Sequence, residues 1–251
     1  MDNKDGIITY VFKTNIVSKN IAVFGCSWSY GVPVHSEQSI PYDCWPLHFA
    51  KKYPDYIVYN FSRGGTGIGY HIAILHKFLN SKQYNNETKI VFQITLPYRY
   101  TFNVDDLINI DLVLQNNNYW CYDGLCTPKT VRHTPSRGLK FSRNTAKSQS
   151  VVEQIEFYKK YIKYYPEKYT DIEFESQIAY VKNICDFVYA HQYWLSSNIP
   201  VSVKQKYNTI PIVRDIIGEE KFKEFVIDDG AHFSTQGLKY MTKWIEGELN
   251  V

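Results

Sequence analysis

The chain has 251 residues, of which 44% are hydrophobic, so it can bury a full core and does not resemble a disordered polypeptide. A formal net charge of +3 argues against a dedicated nucleic-acid-binding protein, although it permits a local basic patch. The five cysteines are odd in number and dispersed, which argues against a disulfide framework and against a zinc site. We expect no metal and no cofactor.

The first residues of the chain carry no charged-then-apolar signal pattern. No segment approaches the roughly 18 apolar residues that a membrane-spanning helix needs. These patterns predict a cytoplasmic or particle-associated protein without a signal peptide or a membrane span.

The first part of the chain alternates apolar strands with amphipathic helices. The pattern predicts strands over residues 21–24, 56–61 and 89–95, and helices over 45–53 and 70–79. Strands separated by helices pair in parallel through right-handed crossovers. The chain therefore begins as an α/β domain.

Residues 98–147 interrupt this pattern with asparagine, tyrosine, glycine, proline and basic residues. A loop of that length is typical of a lid, an insertion or a binding segment. It is either a solvated loop, an anion-facing rim of the active site or a contact for an acidic partner in a protein assembly. Between Thr127 and Lys147 it contains six cations and no acidic residue, namely Lys129, Arg132, Arg137, Lys140, Arg143 and Lys147.

Regular structure is predicted to return with a helix over 148–164 and a second helix that begins at Thr170, where residues 170–173 have the spacing of a capping box. Its apolar stripe extends from Phe174 to Val188 at helical spacing. A strand over 199–203 and a final helix after an N-cap at Ser234 complete the pattern. These elements predict one three-layer α/β/α domain over residues 1–251, with a mostly parallel central sheet.

Three polar segments carry the candidate functional residues. The first is Gly25-Cys-Ser-Trp-Ser-Tyr-Gly31, in which Ser27 is a candidate nucleophile at the end of a strand. Ser29 and Cys26 are weaker alternatives. Near the other end of the chain, Asp229 and His232 are spaced so that the carboxylate can orient its own histidine as a base.

The remaining segment, Asn60-Phe-Ser-Arg-Gly-Gly-Thr-Gly-Ile-Gly69, can present backbone amides to an anion. It matches neither the dinucleotide fingerprint nor a phosphate-binding loop, so nucleotide binding is not expected.

Taken in their order along the chain, the three segments resemble the SGNH hydrolases, which are the GDSL-like lipases and esterases. The resemblance runs from Gly25 to Gly237 and implies a flavodoxin-like α/β/α fold. It implies a catalytic triad of Ser27, Asp229 and His232, and an oxyanion hole made by the amides of Ser27 and Gly65. Cys26 stands where the family name has aspartate.

A fourth segment departs from the family pattern. After the third strand the family has an asparagine that donates to the oxyanion, whereas this chain has Pro97 there, which has no donor. Thr95, Tyr98 or Arg99 is a possible substitute, and a cation such as Arg99 would also suit an anionic substrate. Trp28 and Arg99 are candidate substrate contacts.

The resemblance implies a serine-dependent ester hydrolase, and the tyrosine-rich, basic segment favours a carbohydrate O-acetyl ester as substrate. The alternative is a catalytically weak or inactive module with a structural or glycan-binding role in a larger assembly. Binding of nucleic acid by the basic segment is the least favoured interpretation.

Overall fold

A computed structural model of the chain describes residues 19–31, 43–64, 66–95, 99–102, 112–116, 118–122, 129–134, 138–141, 160, 167–190, 218–226 and 232–251. The strands of this part are β1 (Lys19–Phe24), β2 (Tyr56–Asn60), β3 (Lys89–Ile94), β4 (Arg99–Phe102), β5 (Leu112–Asn116), β6 (Tyr119–Tyr122), β7 (Lys129–Thr134), β8 (Gly138–Phe141) and β9 (Phe187–Ala190). Its helices are α1 (Ser27–Tyr30), α2 (Trp45–Lys52), α3 (Ile68–Leu79), α4 (Glu167–Ile184), α5 (Glu219–Glu224) and α6 (Thr235–Leu249).

The central sheet has six strands in the order β5-β6-β2-β1-β3-β9. Every neighbouring pair is parallel except β5 with β6, which places one antiparallel strand at the edge. The strands β1, β2 and β3 lie within one or two residues of their predicted bounds. The predicted α/β class with a mostly parallel sheet is confirmed.

Both faces of this sheet are covered, which is why its middle strands are apolar on both sides. In β1, Ile21 and Val23 belong to a core shared with α2 and α6. Their neighbours Ala22 and Phe24 belong to a second core, shared with α3 and α4. Alternation along a single strand thus supplies both cores, and the protein has the three layers that the sequence predicts.

Two predictions about the helix that precedes β9 were wrong. The helix α4 begins at Glu167, so Thr170 lies inside it and is not its N-cap. The helix ends at Ile184, and Val188 lies in β9. Asp186 explains the change of structure, because its carboxylate accepts a hydrogen bond from the backbone N–H of Ile90 (2.7 Å) and aligns the following residues with β3.

The final helix follows its prediction, since α6 begins after Ser234 and the Ser234 side chain accepts a hydrogen bond from the Gly237 amide. The predicted strand over 199–203 lies outside the described residues, and so does the predicted helix over 148–164 apart from residue 160, which is helical.

The segment 98–147 contains five strands where the sequence predicted a loop. Strands β5 and β6 extend the central sheet, and β4, β7 and β8 form a separate antiparallel sheet. These strands have four to six residues, and partner strands rather than an apolar repeat define them. Whether this segment acts as a lid stays a prediction.

Asn118, between β5 and β6, fixes the edge of the central sheet to the rest of the domain. Its buried amide donates to the carbonyl oxygens of Ala50, Tyr53 and Tyr56, at 2.8, 3.1 and 2.8 Å. This contact ties the edge to the end of α2 and to the amino-terminal end of β2.

As for membrane insertion, the helices of the described ranges lack either the length or the apolar character that crossing a bilayer requires.

Candidate active site

The carboxyl-terminal ends of β1, β2 and β3 meet at one edge of the sheet. Because β2 and β3 lie on opposite sides of β1, the chain leaves β1 toward one side and later returns on the other. In open parallel sheets such a switch point leaves a crevice in which ligands bind. Ser27 lies at this point, as the first residue of α1, and its side chain is half-buried.

His232 lies against Ser27 although 205 residues separate the two in the chain. The distance from His232 Nε2 to Ser27 Oγ is 3.0 Å, which is a hydrogen-bonding distance. A neutral imidazole that carries its proton on Nδ1 accepts the serine proton in this geometry. The structure thus brings together two of the three predicted triad residues, and Asp229 lies outside the described residues.

The start of α6 holds His232 in place. Val226 and Phe233 form an isolated antiparallel bridge, and the Ser234 amide donates to the Phe225 carbonyl at 2.8 Å. Gly237 permits this packing, because a Cβ at this position would overlap the Phe225 carbonyl oxygen. The position of the histidine therefore depends on a close approach of two backbone segments.

The turn that carries Ser27 makes hydrogen bonds to the buried side chain of Gln93 in β3. The Gln93 side-chain oxygen accepts hydrogen bonds from the Cys26 amide (3.2 Å) and from the Ser29 hydroxyl (2.8 Å). Ser29 is fully buried, so it is not available to attack a substrate. Cys26 is likewise fully buried, whereas Ser27 is only half-buried and remains the candidate nucleophile of this turn.

Two further buried side chains contact Ser29, namely Trp45 of α2 and Tyr189 of β9. The Tyr189 hydroxyl lies 2.8 Å from Ser29 Oγ, and Trp45 Nε1 donates to both oxygens, at 3.1 and 3.2 Å. Burial raises the pKa of the Tyr189 hydroxyl, so it stays neutral and can donate. Sequence reasoning missed this cluster, although a glutamine inside the otherwise apolar run of β3 was a usable signal.

The loop after β2 lies beside the same turn. The Arg63 amide donates to the Gly25 carbonyl at 2.7 Å, and the Asn60 side chain donates to the Ser29 carbonyl at 2.8 Å. A Cβ on Gly64 would lie 3.7 Å from Ser27 Cβ, in van der Waals contact. The predicted glycine loop therefore reaches the candidate nucleophile, while Gly65 itself lies outside the described residues.

The substitutes for the missing asparagine occupy the end of β3 and the start of β4. Thr95 is 1% exposed, and its buried hydroxyl has no hydrogen-bond partner among the residues that the structure describes. Arg99 is the first residue of β4, and Tyr98 lies outside the described residues. Trp28 lies in α1 directly after Ser27.

Within the described segments, no three side chains of the His, Cys, Asp or Glu type are grouped so that they could hold a metal ion.

No protein-family model and no curated protein sequence matches the chain. Among solved structures, the chain is similar to the psychrotrophic esterase EstA from Pseudoalteromonas sp., in a crystal structure inhibited by monoethylphosphonate. The identity is 11%, the match covers 92% of this chain and 97% of that chain, and the TM-score is 0.42.

The packing of Gly237 against Phe225 generates a prediction about stability. We expect Gly237→Ala to lower the free energy of unfolding by about 1–3 kcal/mol, because the added methyl group forces the start of α6 away from Phe225. Thermal or urea denaturation followed by circular dichroism measures the change.

Gly247→Ala is the matched control in the same helix, because its added Cβ meets no atom within 4 Å. Alanine favours a helix over glycine by up to about 1 kcal/mol, so this variant should be as stable as the parent protein or slightly more stable. Equal unfolding curves for the two variants would contradict the proposed packing.

Proposed function

We propose that the protein is a serine-dependent ester hydrolase with Ser27 as its nucleophile. The observation that carries the proposal is the 3.0 Å contact between Ser27 Oγ and His232 Nε2, at the carboxyl-terminal edge of a parallel sheet. A serine beside a base in hydrogen-bonding distance is the arrangement that nucleophilic catalysis requires. The likeness of three sequence segments to the SGNH hydrolases supports the same assignment.

In this mechanism Ser27 Oγ attacks the ester carbonyl carbon while His232 Nε2 takes the serine proton. The tetrahedral intermediate then collapses, the alcohol leaves with the proton from His232, and an acyl-enzyme remains. A water molecule that His232 deprotonates attacks the acyl group and releases the acid and Ser27. Asp229 is assigned to orient the imidazole through Nδ1, three residues before it in the chain.

The oxyanion requires hydrogen-bond donors on the side of Ser27 opposite to the histidine. We assign the backbone amides of Ser27 and Gly65 to this role, and the contact of Gly64 with Ser27 supports the second of them. The hydroxyl of Thr95 is the third donor in this proposal, since it is buried at the end of β3 and lacks a partner. A buried hydroxyl in this condition is costly unless a ligand or water engages it.

The proposed nucleophile is tested with a fluorophosphonate probe, which forms a covalent bond with activated serines. We expect the parent protein to be labelled, and Ser27→Ala to lose both labelling and hydrolysis of short-chain esters. His232→Asn should lose labelling as well, because it removes the base. Intact-protein mass spectrometry measures the added mass.

Ser176→Ala is the matched control, because Ser176 is an exposed serine of α4 and should leave labelling unchanged. Labelling of Ser27→Ala at the parent rate would refute the mechanism. A parent protein that is neither labelled nor active would instead favour the inactive, glycan-binding module.

The third donor is tested by Thr95→Val, which removes the hydroxyl and keeps the shape of the side chain. Loss of one oxyanion donor lowers turnover by about 10²–10³-fold, with little change in KM. Thr95→Ser, which keeps the hydroxyl, should recover most of the turnover. Steady-state kinetics with a chromogenic acetyl ester measures both, and equal turnover of all three proteins would remove Thr95 from the oxyanion hole.

For the substrate, we propose a carbohydrate O-acetyl ester that carries a negative charge. The β4-β7-β8 sheet supports the charge, because Arg99 pairs with Arg132 and Arg132 pairs with Lys140 in register. Three cations thus occupy one cross-strand row, and β4 follows the end of β3 within a few residues. Like charges at opposite positions destabilise a sheet, and an anionic ligand would offset that repulsion.

We expect Arg132→Gln to raise KM for the acetyl ester of an acidic sugar by roughly two- to fivefold, the size of effect that a single ion pair in contact with water has. The effect should shrink at high salt, and KM for a neutral acetyl ester should not change. Lys82→Gln, at an exposed lysine between α3 and β3, is the control. Equal KM changes for the charged and the neutral ester would contradict recognition of an anion.

A further inference from the structure

The candidate nucleophile lies in a turn in which one buried side-chain amide hydrogen-bonds to residues on either side of Ser27. Gln93 of β3 accepts a hydrogen bond from the residue before Ser27, through the Cys26 backbone amide, and from the residue two positions after it, through the Ser29 hydroxyl. We propose that Gln93 is a positioning residue, which fixes the direction of the Ser27 hydroxyl toward His232 without touching the substrate. This inference rests on the proposed role of Ser27.

The orientation of the amide follows from its partners. The Cys26 backbone N–H can only donate, so the oxygen of Gln93, and not its nitrogen, must face the turn. The same oxygen lies 2.8 Å from Ser29 Oγ, so the Ser29 hydroxyl must donate its only proton there. No other arrangement of protons satisfies both contacts.

These constraints determine the direction of the whole chain of hydrogen bonds. Since the Ser29 proton goes to Gln93, the Ser29 oxygen accepts from the Tyr189 hydroxyl at 2.8 Å. The Tyr189 oxygen in turn accepts from Trp45 Nε1 at 3.1 Å, because an indole N–H can only donate. Donation therefore runs from Trp45 through Tyr189 and Ser29 to Gln93. All four side chains are fully or almost fully buried.

This chain connects the turn to three separate elements of the fold. Trp45 belongs to α2, Tyr189 to β9 and Gln93 to β3, and each of these elements is packed in the core. Hydrogen bonds in such a dry chain polarise and strengthen one another. The turn after β1 therefore has little freedom to move relative to the sheet.

Gly25 is matched to this arrangement. A Cβ at this position would lie 2.6 Å from the Gln93 side-chain oxygen and 2.7 Å from Gln93 Cβ. The glutamine side chain thus occupies the space that a side chain on Gly25 would need. The two residues together bring the turn against the sheet.

Core stability does not account for a glutamine here. Its buried amide nitrogen has no hydrogen-bond partner in the described part of the chain, which is a penalty that an apolar side chain of the same size would avoid. What the glutamine adds is the acceptor oxygen that faces the turn. We therefore assign the glutamine to the position of the turn, which carries the half-buried Ser27.

The test is the rate of labelling by a fluorophosphonate in Gln93→Met, which keeps the length of the side chain and removes the acceptor. We expect the rate and kcat to fall by about 10- to 100-fold with KM nearly unchanged, because small displacements of a nucleophile are costly. Gln93→Glu, which keeps an acceptor oxygen, should recover most of the rate. Tyr189→Phe, which removes one oxygen only, should cause a smaller loss in the same direction.

Asn118→Ala is the control for a general loss of stability, because Asn118 is a buried amide at the opposite end of β2. It should lower the midpoint of thermal unfolding and leave the labelling rate unchanged. Labelling of Gln93→Met and Tyr189→Phe at the parent rate would overturn the inference while the proposed function stands. A parent protein that is not labelled at Ser27 would overturn the proposed function and the inference with it.

Discussion

The approach of Gly25 to Gln93 is the contact on which the candidate site depends. In a parallel sheet, neighbouring strands are held at a fixed spacing by their ladder, and the loops at their ends are not. Here the absence of a side chain at residue 25 lets an amide from β3 reach across to the turn after β1. The turn thereby gains the fixed position of the sheet, although it lies outside the ladder. The position of Ser27 is therefore fixed relative to the sheet.

The base opposite Ser27 is held by a different part of the protein. His232 precedes α6, which packs with α2 on one face of the sheet, and a second glycine permits close packing at the start of this helix. The serine and the histidine therefore reach each other through the core that both elements share, and not through a direct chain connection. A change in that core would alter the distance between Ser27 and His232 even where it touches neither residue.

The sequence predicts those parts of the molecule that depend on local pattern. The strands β1, β2 and β3 are short apolar runs ended by turn residues, and Ser234 is an N-cap that its own helix satisfies. Where tertiary contacts decide, the pattern fails. Val188 continues a helical spacing from Phe174, yet it lies in a strand. The Asp186 carboxylate accepts a hydrogen bond from the Ile90 amide of β3 and aligns the residues that follow it with β3. The strands β4 to β8 lack an apolar repeat, because their pairing partners define them.

The candidate site shows the same division. The pairing of Ser27 with His232 was predicted because each residue lies in a recognisable turn. Gln93, Trp45 and Tyr189 were not, since their contacts join residues between 16 and 160 positions apart that no local pattern relates. The role of a buried glutamine can be inferred only when its hydrogen-bond partners are known.

Buried polar groups are satisfied differently at the two ends of the sheet. At the amino-terminal end, the buried Asn118 side chain makes its hydrogen bonds to backbone carbonyl groups and stabilises the fold. At the carboxyl-terminal end, Ser62, Gln93 and Thr95 each bury a polar atom that lacks a partner within the described ranges. Such atoms lower stability and persist where function requires them. These three groups lie after β2 and at the end of β3, on either side of Ser27, as expected if this edge binds the reacting group of the proposed function. Glu246 of α6, beside Lys52, also buries an oxygen without a partner among the described residues, so it is the grouping of three such atoms around Ser27 that supports the proposal.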